Sequence, residues 1–250
     1  MINIVVPMGG RTQFFDDKLF CFPKPLIEIG EQPMIELVIR FLKRINQPKR
    51  FIFIVNEADA VQYHLDNVLA LLTEPSTVIL RLHGETHGAI CTALMAIEEY
   101  NSTQPLIIAN SDSIIDADVN LALDLFIERQ ADAGTICFDS VHPQWSYVLA
   151  DENGWVIEAA EKRPISTHAI AGFYYFRQGQ DFVKAAFACI EKEAAVNGRY
   201  FTSLTFNELI LAGKKVAMFK IDNSDYHSFY SPEKIRLYEK CLAEGGCHLI

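Results

Sequence analysis

Positive charge is scarce in this chain: 22 Lys and Arg stand against 32 Asp and Glu, a formal net charge of −10 at pH 7. Such a balance offers no basic face to follow a nucleic-acid backbone or an anionic membrane, which argues against both as partners. Any phosphate must then be met by a few local cations or a metal. Glycine (13) and proline (10) are also sparse among 250 residues, which excludes collagen-like and low-complexity classes. Half of the residues are apolar, enough to pack an ordinary α/β domain.

No apolar run approaches the length of a membrane span, and the opening MINIVV has no basic flank followed by a long apolar stretch. Neither a spanning helix nor a secretory signal is read, so the expected location is cytoplasmic. Cys21, Cys91, Cys137, Cys189, Cys241 and Cys247 include no Cys-x-x-Cys pair, which predicts buried free thiols rather than disulfides or zinc. The sequon Asn101, Ser102, Thr103 is then a chance match. A Gly-x-Ser-x-Gly elbow, a Walker loop and a His-Glu-x-x-His helix are all missing.

What is present is alternation. INIVV, RFIFIV, TVILRL, PLIIA and GTICF read as strands separated by helical patterns, which predicts an α/β fold: a doubly wound, mainly parallel mixed sheet of Rossmann-like type. Pro33 opens a helix whose Met34, Val38, Phe41, Leu42 and Ile45 share one face. Asn56 caps a second helix with Val61, Leu65, Val68, Leu69 and Leu72 as its buried stripe. After residue 140 the pattern changes to a hairpin turned at Asn153-Gly154, a strand at 168–176, helices near 180–196 and 203–212, a strand at 215–221 and a last helix begun by Ser231 and Pro232. One domain, 1–250, is expected, with 1–140 binding a nucleotide and 141–250 binding its acceptor.

Ligands of open α/β sheets sit at the carboxyl ends of strands, so four segments stand out. Pro7, Met8, Gly9 and Gly10 end the first strand and lead to Arg11, Lys18 and Lys24; glycines let backbone N–H groups approach a phosphate and the cations offset its charge. Glu85, Thr86, His87 and Gly88 form a turn before an apolar helix, where a glycine gives a planar base room. Asn110, Ser111 and Asp112 end PLIIA, and a carboxylate there can hold Mg²⁺ against phosphates. The run AEKRPISTHAIAGFYYF carries Glu161, Lys162, Arg163 and Gly172, and TSLTFNELIL carries Asn207 and Glu208.

In this order the segments resemble the sugar-phosphate nucleotidyltransferases, especially bacterial members serving capsule and surface polysaccharide pathways. The resemblance implies a GT-A-like nucleotide-diphospho-sugar transferase fold, with Mg²⁺ as cofactor. It implies transfer of a nucleoside monophosphate from a nucleoside triphosphate to a sugar 1-phosphate or similar small phosphorylated acceptor, releasing pyrophosphate. Lys24, Arg11 and Asp112 inherit catalytic roles. Pro7 to Gly10, Glu85 to Gly88, Asn110 and Ser111 inherit nucleotide contacts, and Glu161, Lys162, Gly172 and Asn207 inherit the acceptor. Two positions depart from the pattern: Phe14 stands where relatives carry Arg, and Ser228 where they carry a second metal-binding Asp. Asp225, or Asp222, is the expected substitute ligand. Two alternatives stay open, a glycosyltransferase using Asp116 and Asp118 as an Asp-x-Asp pair and a binding protein without catalysis; so does homo-oligomerisation.

Overall fold

The structure, a computed structural model, describes residues 1–10, 14–15 and 20–247. The first half runs β1 (Ile2–Met8), β2 (Glu28–Ile29), β3 (Gln32–Pro33), α1 (Met34–Lys43), β4 (Lys49–Asn56), α2 (Glu57–Tyr63), α3 (Leu65–Leu72) and β5 (Val78–Leu82). It continues through α4 (Ala89–Leu94), α5 (Ile97–Tyr100), β6 (Leu106–Ala109), β7 (Ser113–Ile115), α6 (Val119–Glu128) and β8 (Ala133–Asp139). The second half holds β9 (Ser146–Ala150), β10 (Val156–Glu161), β11 (His168–Phe176), α7 (Gly179–Glu191), α8 (Thr205–Leu211), β12 (Val216–Lys220), β13 (Tyr226–Ser228) and α9 (Pro232–Ala243).

Among the described residues nine strands form one mixed sheet, with β10, β9, β11, β6, β1, β4 and β5 side by side and β8 and β12 paired beyond β11. β6, β1, β4 and β5 are parallel, while β11 is antiparallel to β6, β8 and β9. β1 lies between β4, which follows it, and β6, which comes much later. The connections therefore leave in opposite directions on either side of β1, and a crevice opens there at the carboxyl ends of the strands. The expected α/β, doubly wound architecture is the one observed.

Strand alternation splits the core into two layers. Ile4 and Val6 of β1 pack with α1, α6 and α9 through Val38, Phe126 and Tyr238. Val5 packs on the other face with α4, α7 and α8 through Ala93, Phe182 and Phe206. All five apolar residues expected on the α1 stripe are buried.

The second helix differs from its reading. Asn56 caps it, accepting a 2.9 Å bond from Ala58 N, but His64 adopts a left-handed φ of 54° and divides the run into α2 and α3. The break resets the helical phase, so Val61 is 63% exposed while Leu65 and Leu69 are fully buried. The hairpin between β9 and β10 forms, and the Asp151 carboxylate organises its turn by accepting from Asn153 N and Trp155 N. The helix read at 180–196 stops at Glu191, because Glu193 is left-handed.

The cysteine expectation is corrected. Cys137 and Cys189 are buried free thiols, but Cys241 and Cys247 form a disulfide and Cys21 is exposed. Its cause lies in the backbone: α9 ends in a glycine turn in which Gly246 N and Cys247 N both donate to Cys241 O, folding the tail back onto the helix. No helix among the described residues is long and apolar enough to cross a membrane.

Candidate active site

The crevice beside β1 is where most of the expected residues meet. Val5 pairs with Ile108 in parallel, so the chain leaving β1 at Gly9 and the chain leaving β6 toward Asp112 emerge at the same carboxyl edge of the sheet. Gly9 is buried so closely that an added Cβ would lie 2.5 Å from Leu82 Cδ2, whereas Gly10 faces open space. Gly88 has a φ of 112°, a region L side chains rarely enter, and its missing Cβ would lie 2.5 Å from Tyr200 O. This contact is locked, because Tyr200 N donates to His87 O at 2.7 Å and Tyr200 O accepts from Ile90 N at 3.2 Å.

Between these glycines lies a cleft of about 170 Å³ lined by Pro7, Gly9, Gly10, Glu85, Thr86 and Gly88. Thr86 hydroxyl is tied to Thr92 Oγ1 at 2.6 Å, and Thr92 donates on to Gly88 O, so the turn is held rigid. Met8, buried, and His87, exposed, both lie outside its lining. Arg199 and Phe201 complete the lining from the second half of the chain, a contribution not read from sequence.

At the adjoining strand end, Lys24 Nζ and the Asp112 carboxylate form a close ion pair, with side chains 18% and 22% exposed. Lys24 is delivered by a Lys-Pro-Leu 3₁₀ turn over Lys24–Leu26 and also lies over the Phe15 ring, 5.5 Å from its centroid. Asn110 N donates to Gly172 O, and Gly172, with a φ of 73°, has no room for a Cβ against the Asn110 side chain. Ser111 is half-buried between Asn110 and Asp112. Arg11 and Lys18 lie outside the described residues.

Asp225 is not brought to Asp112. β7 and β13 pair antiparallel with Ser228 opposite Ser113, Phe229 N donates to Asp112 O, and Asp116 N donates to Asp225 O. Four residues of ladder, roughly 13 Å at about 3.3 Å each, therefore separate Asp225 from Asp112 along the strand. Ser228 faces Ser113, the residue that follows Asp112, and among the described residues no three His, Cys, Asp or Glu side chains cluster as a metal cage. Phe14 is 51% exposed and packs edge-on against Tyr230 at 4.7 Å.

Among the residues expected to meet the acceptor, Glu161 is 8% exposed and accepts from Ser146 and Ser203 hydroxyls. Burial pushes its carboxyl above the usual range, partly opposed by the two serines and Lys162. Lys162 is exposed with a left-handed φ of 54°, and its ammonium lies 5.4 Å from the centroid of Phe201, the same ring that lines the cleft. Asn207 is spent elsewhere: its amide accepts from Ala159 N and donates to Ala159 O, both at 2.8 Å, fastening β10 to α8. Glu208 pairs with Lys192 and Arg163 with Glu158.

A pH test follows for Glu161. Its folded pKa lies above the ordinary 4.5, so its contribution to stability is complete below that pH and is lost as pH rises through the raised value. Relative to Glu161→Gln, the natural chain should lose urea resistance as pH rises above about 4.5. A pH-independent difference between the two would contradict a shifted carboxyl.

The Asp-x-Asp pair is accounted for by structure. Asp118 caps α6 through Asn120 N at 3.0 Å, and Asp116 binds His227 Nε2 at 2.9 Å. Comparison with known proteins adds the family: nucleotidyl transferase matches residues 20–220. The chain belongs to the nucleotidyl transferase family. It is a nucleotidyltransferase. Among solved structures it is similar to a nucleoside-diphosphate-sugar pyrophosphorylase from Vibrio cholerae RC9, at 22% identity, TM-score 0.80, covering 95% of this chain and 99% of that one. It is also similar to a Bacillus anthracis protein, provisionally a glucose-1-phosphate thymidylyltransferase, seen with sucrose, at 17% identity, TM-score 0.73, covering 97% and 95%. A search of curated proteins gives no match.

Proposed function

We propose that this nucleotidyltransferase moves a nucleoside monophosphate from a nucleoside triphosphate to a sugar 1-phosphate, releasing pyrophosphate, to make an activated sugar for surface polysaccharide. The carrying observation is the Lys24–Asp112 pair at the sheet's switch point, at the same strand ends as a cleft lined by Gly9 and Gly10. The first half supplies the nucleotide site and the second half the acceptor site, with Arg199 and Phe201 reaching back across. The cytoplasm, where triphosphates are made, is the proposed location.

The residues fit Mg²⁺ of the kind that travels with its nucleotide. Mg²⁺ is typically held by about one or two carboxylates plus substrate phosphates and water, and Asp112 provides one such carboxylate. Bound there, the ion would withdraw charge from the phosphorus under attack. Lys24 would leave Asp112 for the α-phosphate, Gly9 and Gly10 would present backbone to the other phosphates, and Lys162 would hold the acceptor phosphate. An ionised phosphate nucleophile needs no general base, so positioning and charge neutralisation supply the rate. With Asp116 and Asp118 engaged structurally, the glycosyltransferase reading loses its motif.

The test is pyrophosphate release with Mg²⁺, four triphosphates and a panel of sugar 1-phosphates, phosphocholine and other small phosphates. Release that needs one triphosphate and one acceptor is expected. Tight binding without release for every combination would leave a binding protein instead.

A further inference from the structure

The cleft between Gly9 and Gly88 holds two charges that the rest of the chain leaves unengaged. Glu85 and Arg199 both line it, and among the described residues neither side chain has an ion pair or hydrogen bond, with the other or with anything else. The rest of the polar lining is occupied: Thr86 is tied to Thr92, and Thr92 donates to Gly88 O. Arg199 is the one basic side chain among the described residues of the lining.

The backbone that carries Arg199 is held on both sides. Asn197 and Gly198, with φ of 52° and 73°, make a two-residue turn of the kind Asn-Gly favours. It is closed by Val196 N donating to Arg199 O at 2.9 Å and Arg199 N donating to Val196 O at 3.1 Å. The next residue, Tyr200, packs against the core layer of α4, α7 and α8, and its backbone binds His87 and Ile90. Because Tyr200 O also crowds the missing Cβ of Gly88, Arg199 and Phe201 stand at the Gly88 end of the cleft, with Glu85 and Thr86. A guanidinium on so fixed a backbone, without a protein partner, is a group left for a ligand.

We propose that Glu85 and Arg199 select the nucleobase and that the base is cytosine, so that the triphosphate is CTP. The inference rests on the nucleotidyl-transfer reading only in placing a nucleotide in this cleft. A carboxylate only accepts hydrogen bonds, and a guanidinium only donates them, in a planar fork. Cytosine carries one donor, its exocyclic amino group, next to two neighbouring acceptors, ring N3 and O2. Glu85 suits the first and the fork of Arg199 the other two. Uracil and thymine set their one ring N–H between two carbonyls, and adenine sets its amino group between two ring nitrogens, so neither leaves neighbouring acceptors for the fork once the donor is taken. Guanine could satisfy both charges but brings two rings. At about 170 Å³ the cleft is smaller than the roughly 300–1,000 Å³ of whole small-molecule pockets, which favours the one-ring base. Phe201 adds an aromatic surface on which any base can stack, a source of affinity without choice.

Calorimetric titration of the natural chain with CTP, UTP, GTP and ATP, each with Mg²⁺ and without acceptor, reads the base apart from the chemistry. CTP should bind tightest, by at least about tenfold over UTP. Arg199→Ala and Glu85→Gln should each bring CTP to within about threefold of UTP while changing UTP itself by less than about threefold. Melting temperatures near that of the natural chain check that the turn at Asn197 and Gly198 survives. Arg199→Lys keeps the charge without the fork and should recover little of the preference. Equal affinity for all four triphosphates, a preference for any other than CTP, or a CTP preference unmoved by both variants would overturn the proposal. So would an equal loss for all four in Arg199→Ala, which would make that residue a phosphate contact. Selective binding of CTP with no pyrophosphate released for any acceptor would keep this inference and remove the transfer reading, whereas no binding of any triphosphate would overturn both.

Discussion

Lys24→Ala should lower kcat by about 10²–10³-fold while changing the KM for nucleotide much less. The expectation follows from where Lys24 stands: an ammonium paired with Asp112 at the end of β6, held by a Pro-containing 3₁₀ turn and the Phe15 ring. In a transfer whose barrier is dominated by charge on the phosphoryl group, a cation set beforehand at that point acts mainly on the transition state. Lys24→Arg keeps the charge but not the compact ammonium, so partial recovery is expected. Steady-state kinetics of both variants decide the matter. A rise in KM with unchanged kcat would make Lys24 a binding residue only.

Gly88→Ala should raise the KM for nucleotide by about tenfold or more and cost about 1–3 kcal/mol of stability. Two independent penalties meet at this residue: a φ of 112° and a Cβ position 2.5 Å from Tyr200 O. Neither backbone can retreat cheaply, since each holds the other through the His87, Tyr200 and Ile90 hydrogen bonds. Gly10→Ala is the informative contrast, because a Cβ there meets nothing. Its melting temperature should stay near that of the natural chain, and any loss of nucleotide affinity then reports a phosphate drawn close to that backbone. Equal KM values for Gly88→Ala and the natural chain would remove the turn from the site.

The sheet and α1 were legible because they rest on local periodicity: β-branched runs in β1, β4 and β6, and Met34, Val38, Phe41, Leu42 and Ile45 at helical spacing. The carboxyl-end residues Gly9, Gly10, Gly88, Asn110 and Asp112 were legible for a related reason, since strand ends followed by glycine or acid mark the rim of such folds. Features set by long-range packing were not. His64 breaks a run with continuous helical spacing, and nothing local marks it. Arg199 and Phe201 reach the cleft only because the Tyr200 backbone binds His87 and Ile90, more than a hundred residues away. Asp225 looked close to Asp112 as a neighbour of Ser228, but an antiparallel register converts each residue of offset into about 3.3 Å of distance. The disulfide escaped notice because the Gly245-Gly246 turn, not the cysteine spacing, brings the two thiols together.

The fate of labelled phosphorus tests the account most directly. With Mg²⁺, the natural chain and a competent sugar 1-phosphate, label at the α-phosphorus of the triphosphate should appear in the sugar product, and label at the γ-phosphorus in pyrophosphate. Asp112→Ala should stop both together. Transfer of the γ label to the acceptor, or release of the α label as free monophosphate, would contradict nucleotidyl transfer at the Lys24–Asp112 rim.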